Sequence, residues 1–181
     1  MHTLKCLLLM MVMSAYNAAV LPVCRWTQFR LPELNEESIT LLESMGDLMP
    51  LKCLGKGGRS FPDDVFTKAQ SEDLAVLALE MLKGVDKIFK NDQKPVSWNP
   101  EKLGLFKNIV FRQVEKLQEC VGKEASQTDL TNRSSAKLKS YFEELEDRLR
   151  MKELSECAWE IVRNEVHYGL RKLHSFLQSK K

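Results

Sequence analysis

PEKLGLFKNIVFRQVEKLQECVG, residues 100–122, decides the fold class of this chain. Its apolar side chains Leu103, Phe106, Val110, Val114, Leu117 and Val121 follow one another at intervals of 3, 4, 4, 3 and 4, which places all six on one stripe of an α-helix. Pro100 stands where a first helical residue tolerates proline, because that position has no intrahelical N–H bond to lose, and Gly122 marks the end. The same rhythm returns near the C-terminus in Trp159, Val162, Val166, Leu170, Leu173 and Leu177. Upstream, Leu74, Leu77, Met81, Val85 and Ile88 form a shorter stripe, with Ser71 and Asp73 supplying cap chemistry for its first turn. A fourth stripe is Leu138, Phe142, Leu145 and Leu149. The first in chain order lies between Glu33 and Leu48, through Leu34, Ile39, Leu42, Met45 and Leu48, and Pro50 ends it. Five such helices and no convincing alternating strand predict an all-α bundle, because an apolar stripe left in water has nothing to stabilise it.

The connections carry the topology. Lys52 to Phe61, with Gly55, Gly57, Gly58 and then Pro62, makes a long link between the first two helices. A link of that length lets the chain return along the bundle and run the second helix parallel to the first. The expected architecture is therefore a five-helix long-chain bundle with a crossover, the arrangement of helical cytokines. Asn91 to Pro100 breaks the pattern before the third helix, and a polar stretch from Lys123 to Arg133 precedes the fourth. Asn132-Arg133-Ser134 in that stretch is a sequon that would present a glycan to solvent at Asn132.

The chain has 181 residues, 44% of them hydrophobic, with 27 Lys+Arg against 25 Asp+Glu. That is one domain's worth of core, and a formal charge of +2 supplies no general field for gripping nucleic acid or an anionic bilayer. The N-terminus has one positive charge at Lys5, an apolar run Cys6–Met13, then small residues through Ala19, which reads as a secretory signal peptide over residues 1–23 with cleavage somewhere in 19–23. The domain is then 24–181, and no later run is long enough to insert in a membrane. Export leaves Cys24, Cys53, Cys120 and Cys157, an even set for an oxidising compartment, so two disulfides are expected, with three pairings possible on paper. The gaps of 29, 67 and 37 residues do not suit zinc. No phosphate-cradling glycine loop, Gly-x-Ser-x-Gly or His-Glu-x-x-His occurs. His167 and His174 lack a carboxylate or lysine at a defined spacing, so the reading is a protein with neither a catalytic constellation nor a cofactor.

The block Ser155-Glu156-Cys157-Ala158-Trp159-Glu160-Ile161-Val162-Arg163-Asn164-Glu165-Val166 resembles the last-helix signature of type I interferons. Phe61-Pro62, Phe66, Lys68-Ala69, Trp98, Cys120 and Lys139-x-Tyr141-Phe142 resemble further landmarks of that family in order, so the likeness covers the mature chain. Four cysteines and the short glycine-rich link Cys53–Arg59 are similar to the fish-type group. The resemblance implies pairing of Cys24 with Cys120 and of Cys53 with Cys157. It also implies a secreted antiviral cytokine that bridges the two class II cytokine receptor chains of a type I interferon receptor heterodimer and activates JAK-STAT signalling. One receptor chain would meet the first helix, the crossover and the last helix, through Leu54, Lys56 or Arg59, Arg163, His167 and Tyr168. The other would meet the face built from the second, third and fourth helices. His167 and Tyr168 stand where mammalian members often carry a Met-Arg pair, a departure that points to a differently tuned surface.

Against these readings stand plainer ones. Trp159 lies on the apolar stripe and belongs to the core. Arg163 lies off it and can pair with a neighbouring helix or touch a receptor, while Glu160 and Asn164 have ordinary polar-face spacing. Arg171, Lys172, Lys180 and Lys181 make a basic, solvated tail. A monomer is expected. Another helical cytokine, a lipid-carrier or antimicrobial helical protein, and a secreted hydrolase are the alternative classes.

Overall fold

The computed structural model describes residues 24–53, 60–90, 97–122 and 129–180, and among them every regular element is helical. Helix α1 is Arg25–Ser44, α2 Leu74–Phe89, α3 Pro100–Val121, α4 Asp129–Met151 and α5 Glu156–Ser179. Short 3-10 turns at Leu51–Cys53, Asp63–Val65 and Ser71–Asp73 punctuate the crossover from α1 to α2.

Helix directions follow from which ends meet. Cys24 at the start of α1 is bonded to Cys120 at the end of α3, and Asn99 N donates to Met45 O (2.6 Å) at the other end of the pair, so α1 and α3 are antiparallel. Cys53, just past α1, is bonded to Cys157 in the first turn of α5, which sets α5 antiparallel to α1. Thr131 donates to Asp73 at the start of α2 and α4, and Lys87 reaches Glu146 (2.8 Å) near their ends, so these two run parallel. Phe89 in the last turn of α2 meets Trp159 in the first turn of α5, and Met81 earlier in α2 lies against Gly169 farther along α5, which makes that pair antiparallel. Hence α1 and α2 run the same way, as the long crossover allows.

The second helix differs from its sequence reading as a one-stripe element. Leu74 through Leu79 are all buried, as are Met81, Leu82, Val85, Ile88 and Phe89. An α-helix apolar on several faces belongs at the centre, and α2 packs against α3, α4 and α5. Phe89 stacks with Trp98 (6.2 Å) and meets Phe106 (4.9 Å) and Trp159 (6.1 Å) edge-on. Trp159 is fully buried.

Three boundaries also differ. α1 begins at Arg25, ahead of Glu33, and keeps Pro32 inside it. Its first turn is held by the Cys24 disulfide and by Thr27, whose Oγ1 donates to Cys24 O (2.6 Å). It ends at Ser44, well before Pro50, so Leu48 stands 95% exposed beyond it. Its buried line is Leu31, Asn35, Ser38, Leu42 and Met45, with Leu34 and Ile39 half-buried beside it. The two polar members were invisible to an apolar count. Asn35 Nδ2 donates to Leu170 O (3.0 Å) and Ser38 Oγ accepts from Gln113 Nε2 (3.1 Å), so partners on α5 and α3 admit them to the core. α4 begins at Asp129, so Asn132 lies exposed in its first turn instead of in a loop; buried Thr131, bonded to Asp73, holds this turn against α2.

Candidate functional site

The α5 signature block is a set of tethers. Ser155 Oγ accepts from Ala158 N (3.4 Å) at the N-cap, and Cys157 in the first turn holds Cys53. Glu160 is buried and its Oε1 accepts from Trp98 Nε1 (2.6 Å) in the link before α3. Its Oε2 accepts from Arg163 Nε (3.1 Å) and Nη2 (2.6 Å). Arg163 Nη1 donates to Leu42 O (3.0 Å) and Nη2 also to Asp47 O, so the guanidinium closes the end of α1 and the start of the crossover. It lies 6.0 Å from the Trp98 ring. One turn on, Glu165 Oε2 accepts from Tyr141 Oη (3.0 Å) and from Ser60 N (3.2 Å), at the return of the crossover. Burial, helped by the neighbouring Glu165 charge, raises the Tyr141 phenol above its ordinary pKa, so it stays a donor.

The crossover is thus pinned to α5 at Asp47, Cys53 and Ser60. Removing one partner of a buried pair such as Arg163–Glu160 leaves a charge stranded away from water, at a cost of about 3–5 kcal/mol. This revises the reading of Glu160 and decides between the two given for Arg163. Arg163 is 9% exposed and pairs inside, with Glu160 and with the backbone of Leu42 and Asp47. Glu160, read as an ordinary polar-face residue, is buried because Trp98 and Arg163 cover it.

His167 and Tyr168 are half-buried and diverge from α5. His167 Nε2 lies 2.7 Å from Glu43 Oε1 on α1. Tyr168 Oη donates to Asp63 Oδ1 (2.7 Å) in the crossover, its ring meets Phe61 edge-on, and Lys172 Nζ stands 5.1 Å over it. Lys172 Nζ also bridges to Asp63 Oδ1 (3.1 Å), and hydrogen bonding to the Tyr168 hydroxyl first and to Asp63 second raises the Lys172 pKa. Leu54, Lys56 and Arg59 lie outside the described residues; the flanking Cys53 and Ser60 are both fixed to α5. Apolar Leu48 and Leu51, 95% and 84% exposed, sit in the same crossover, although sequence periodicity had placed Leu48 in the core.

Asn164, Arg171 and Ser175 are exposed along α5, flanked by the end of α1 on one side and the Asp63 loop on the other. No cluster of three metal-ligating side chains occurs among the described residues, and no helix among them is long and apolar enough to cross a membrane. Away from this surface, Lys83, Lys87, Lys139, Glu80 and Glu143 line a 190 Å³ groove between α2 and α4, and Leu105 and Phe111 of α3 are about half exposed.

Residues 27–180 match the family model "Interferon alpha/beta domain". Interferon a3 of Oncorhynchus mykiss is 29% identical over 154 residues, covering 83% of this chain and 82% of that protein. Interferon alpha of Felis catus is 32% identical over 163 residues, covering 82% and 84%. Among solved structures, zebrafish interferon 2 superposes with a TM-score of 0.72 at 31% identity, over 79% of this chain and 96% of that one. Zebrafish interferon 1 shares the fold at 24% identity, with a TM-score of 0.73 over 87% and 100%.

Proposed function

The chain belongs to the interferon alpha/beta family, the type I interferon cytokines, and from that footing we propose that it bridges two class II cytokine receptor chains and so starts JAK-STAT signalling and antiviral gene expression. It is a cytokine of a secreted family, not an enzyme. In this reading residues 1–23 leave as a signal peptide and residues 24–181 act outside the cell as a monomer, with a glycan on exposed Asn132.

The carrying observation is the triple anchorage of the crossover on α5, through Arg163, Cys157 and Glu165. It ties the described ends of the crossover, Asp47 to Cys53 and Ser60 onward, to α5 beside the end of α1, so these parts meet a partner without first paying an ordering entropy. One receptor chain meets this surface through Leu54, Lys56 or Arg59, His167 and Tyr168, with Arg163 acting from beneath. The other meets the face of α2, α3 and α4. Holding both chains side by side is the whole mechanism, so residence on each face sets how long the kinases stay together.

Folded protein applied to host cells is expected to raise STAT phosphorylation. His167→Ala is expected to weaken one receptor ectodomain by about 1 kcal/mol or more while leaving the melting temperature nearly unchanged. No STAT response at saturating dose of oxidised protein would sink the reading. Equal loss of fold and binding in His167→Ala would make that residue structural.

A further inference from the structure

If one receptor chain does meet α1, the crossover and α5, the surface says what chemistry that chain must bring. A cleft of about 440 Å³ opens between the last turn of α1 and the outer edge of α5. Its floor is the buried Arg163–Glu160 pair, whose guanidinium is already bonded to Glu160, Leu42 O and Asp47 O. One lip is apolar: Leu48 is 95% exposed, beside half-buried Met49. The rim is acidic. Glu43 Oε1 is bonded to His167 Nε2, while among the described residues Glu43 Oε2 and the Asp47 carboxylate have no partner. Ammonium groups nearby are committed elsewhere, Lys102 Nζ to Ser44 O (3.0 Å) and Lys52 Nζ to Glu156 (3.0 Å). Residues 25–47 carry Arg25 and Arg30 against Glu33, Glu36, Glu37, Glu43 and Asp47, and the C-terminal end of α1 adds the negative pole of its dipole.

We propose that this cleft is the socket for a cationic side chain of the receptor, an arginine set among apolar neighbours. A guanidinium fork can engage Glu43 and Asp47 together, while the residues around it cover Leu48; a lysine, as a point charge, satisfies fewer acceptors. An apolar lip of Leu48 and Met49 beside unpaired carboxylates is complementary to a partner that is apolar at the centre and basic beside it. The acidic face of α1 steers that partner from a distance.

The proposal rests on the receptor reading, and one binding experiment separates their failures. Each of the two receptor ectodomains is immobilised, and wild type, Glu43→Gln/Asp47→Asn, Glu43→Lys/Asp47→Lys and Leu48→Ala are titrated between about 50 and 500 mM salt. Gln at position 43 keeps a hydrogen-bonding group for His167, so the neutral pair guards against misfolding. The neutral variant is expected to weaken one ectodomain about tenfold and flatten its salt dependence; the lysine variant weakens the same ectodomain about a hundredfold or more. Leu48→Ala weakens it about fivefold or more, and the other ectodomain is unaffected by any of the three. An arginine of that receptor changed to Glu should recover binding of the lysine variant. A lysine variant with wild-type melting behaviour that binds as tightly as wild type, or that loses both ectodomains equally, overturns the socket. Wild type binding neither ectodomain overturns the receptor reading itself.

Discussion

Gly84 shows how one missing side chain sets a helix spacing. A Cβ there would lie 2.1 Å from Cδ2 of Phe142, whose ring is 4% exposed and fills the seam between α2 and α4. Neither partner can yield without moving a helix. Gly84→Ala is therefore expected to destabilise by about 1–3 kcal/mol in urea unfolding, despite alanine's better helix propensity. Phe142→Leu in the Gly84→Ala background should return part of that loss, since the two positions share one space. Additive losses would place the spacing elsewhere. Nothing in the sequence marks this glycine as a spacer; Glu160 reads as an ordinary polar face, and Arg163 leaves pairing with a neighbouring helix and receptor contact both open. The apolar positions on either side were legible because their burial depends on their own helix. The polar ones were not, because what covers them comes from 62 and 121 residues away.

Between elements, Glu146 couples α4 to α2. Its carboxylate takes Lys87 at 2.8 Å and Arg150 at 2.6 Å, and these bonds, Lys87 first, hold its pKa below the ordinary 4.5. A carboxyl lowered in the fold contributes stability that is fully present above its unfolded pKa and lost as pH falls through the folded value. The pair is largely solvated, so its contribution is modest. Glu146→Gln is expected to be slightly less stable than wild type at about pH 6, with the gap closing below about pH 4. A gap that stays constant with pH would show that the ion pair contributes nothing through its charge. The same level explains the misplaced boundaries. α4 starts at Asp129 because Thr131 finds Asp73 at the N-cap of α2, and α1 starts at Arg25 because the Cys24 disulfide holds a turn that Pro32 would otherwise weaken.

For the molecule as a whole, two disulfides of similar span do different work. Cys24–Cys120 closes a separation of 96 residues and Cys53–Cys157 one of 104, so the entropic contribution should be alike, about 2–5 kcal/mol each. Only the second fixes the crossover on α5. Cys53→Ser/Cys157→Ser and Cys24→Ser/Cys120→Ser are expected to lose similar stability by chemical denaturation, but the first alone should lose affinity for the receptor chain facing the crossover. Equal affinity loss in both would show that the crossover needs no such anchor. The sequence by itself determined the helical class, the number of helices, the long crossover and, through Cys157–Val166, the family. Periodicity and a local motif suffice for those, because each is a property of neighbouring residues. Tertiary structure alone decided that α2 is central, that Asn35 and Ser38 belong to the core, and that Arg163 works from inside while Leu48 faces out. Each of those depends on which distant group arrives to satisfy a polar atom or cover an apolar one, and spacing along one helix carries no record of that.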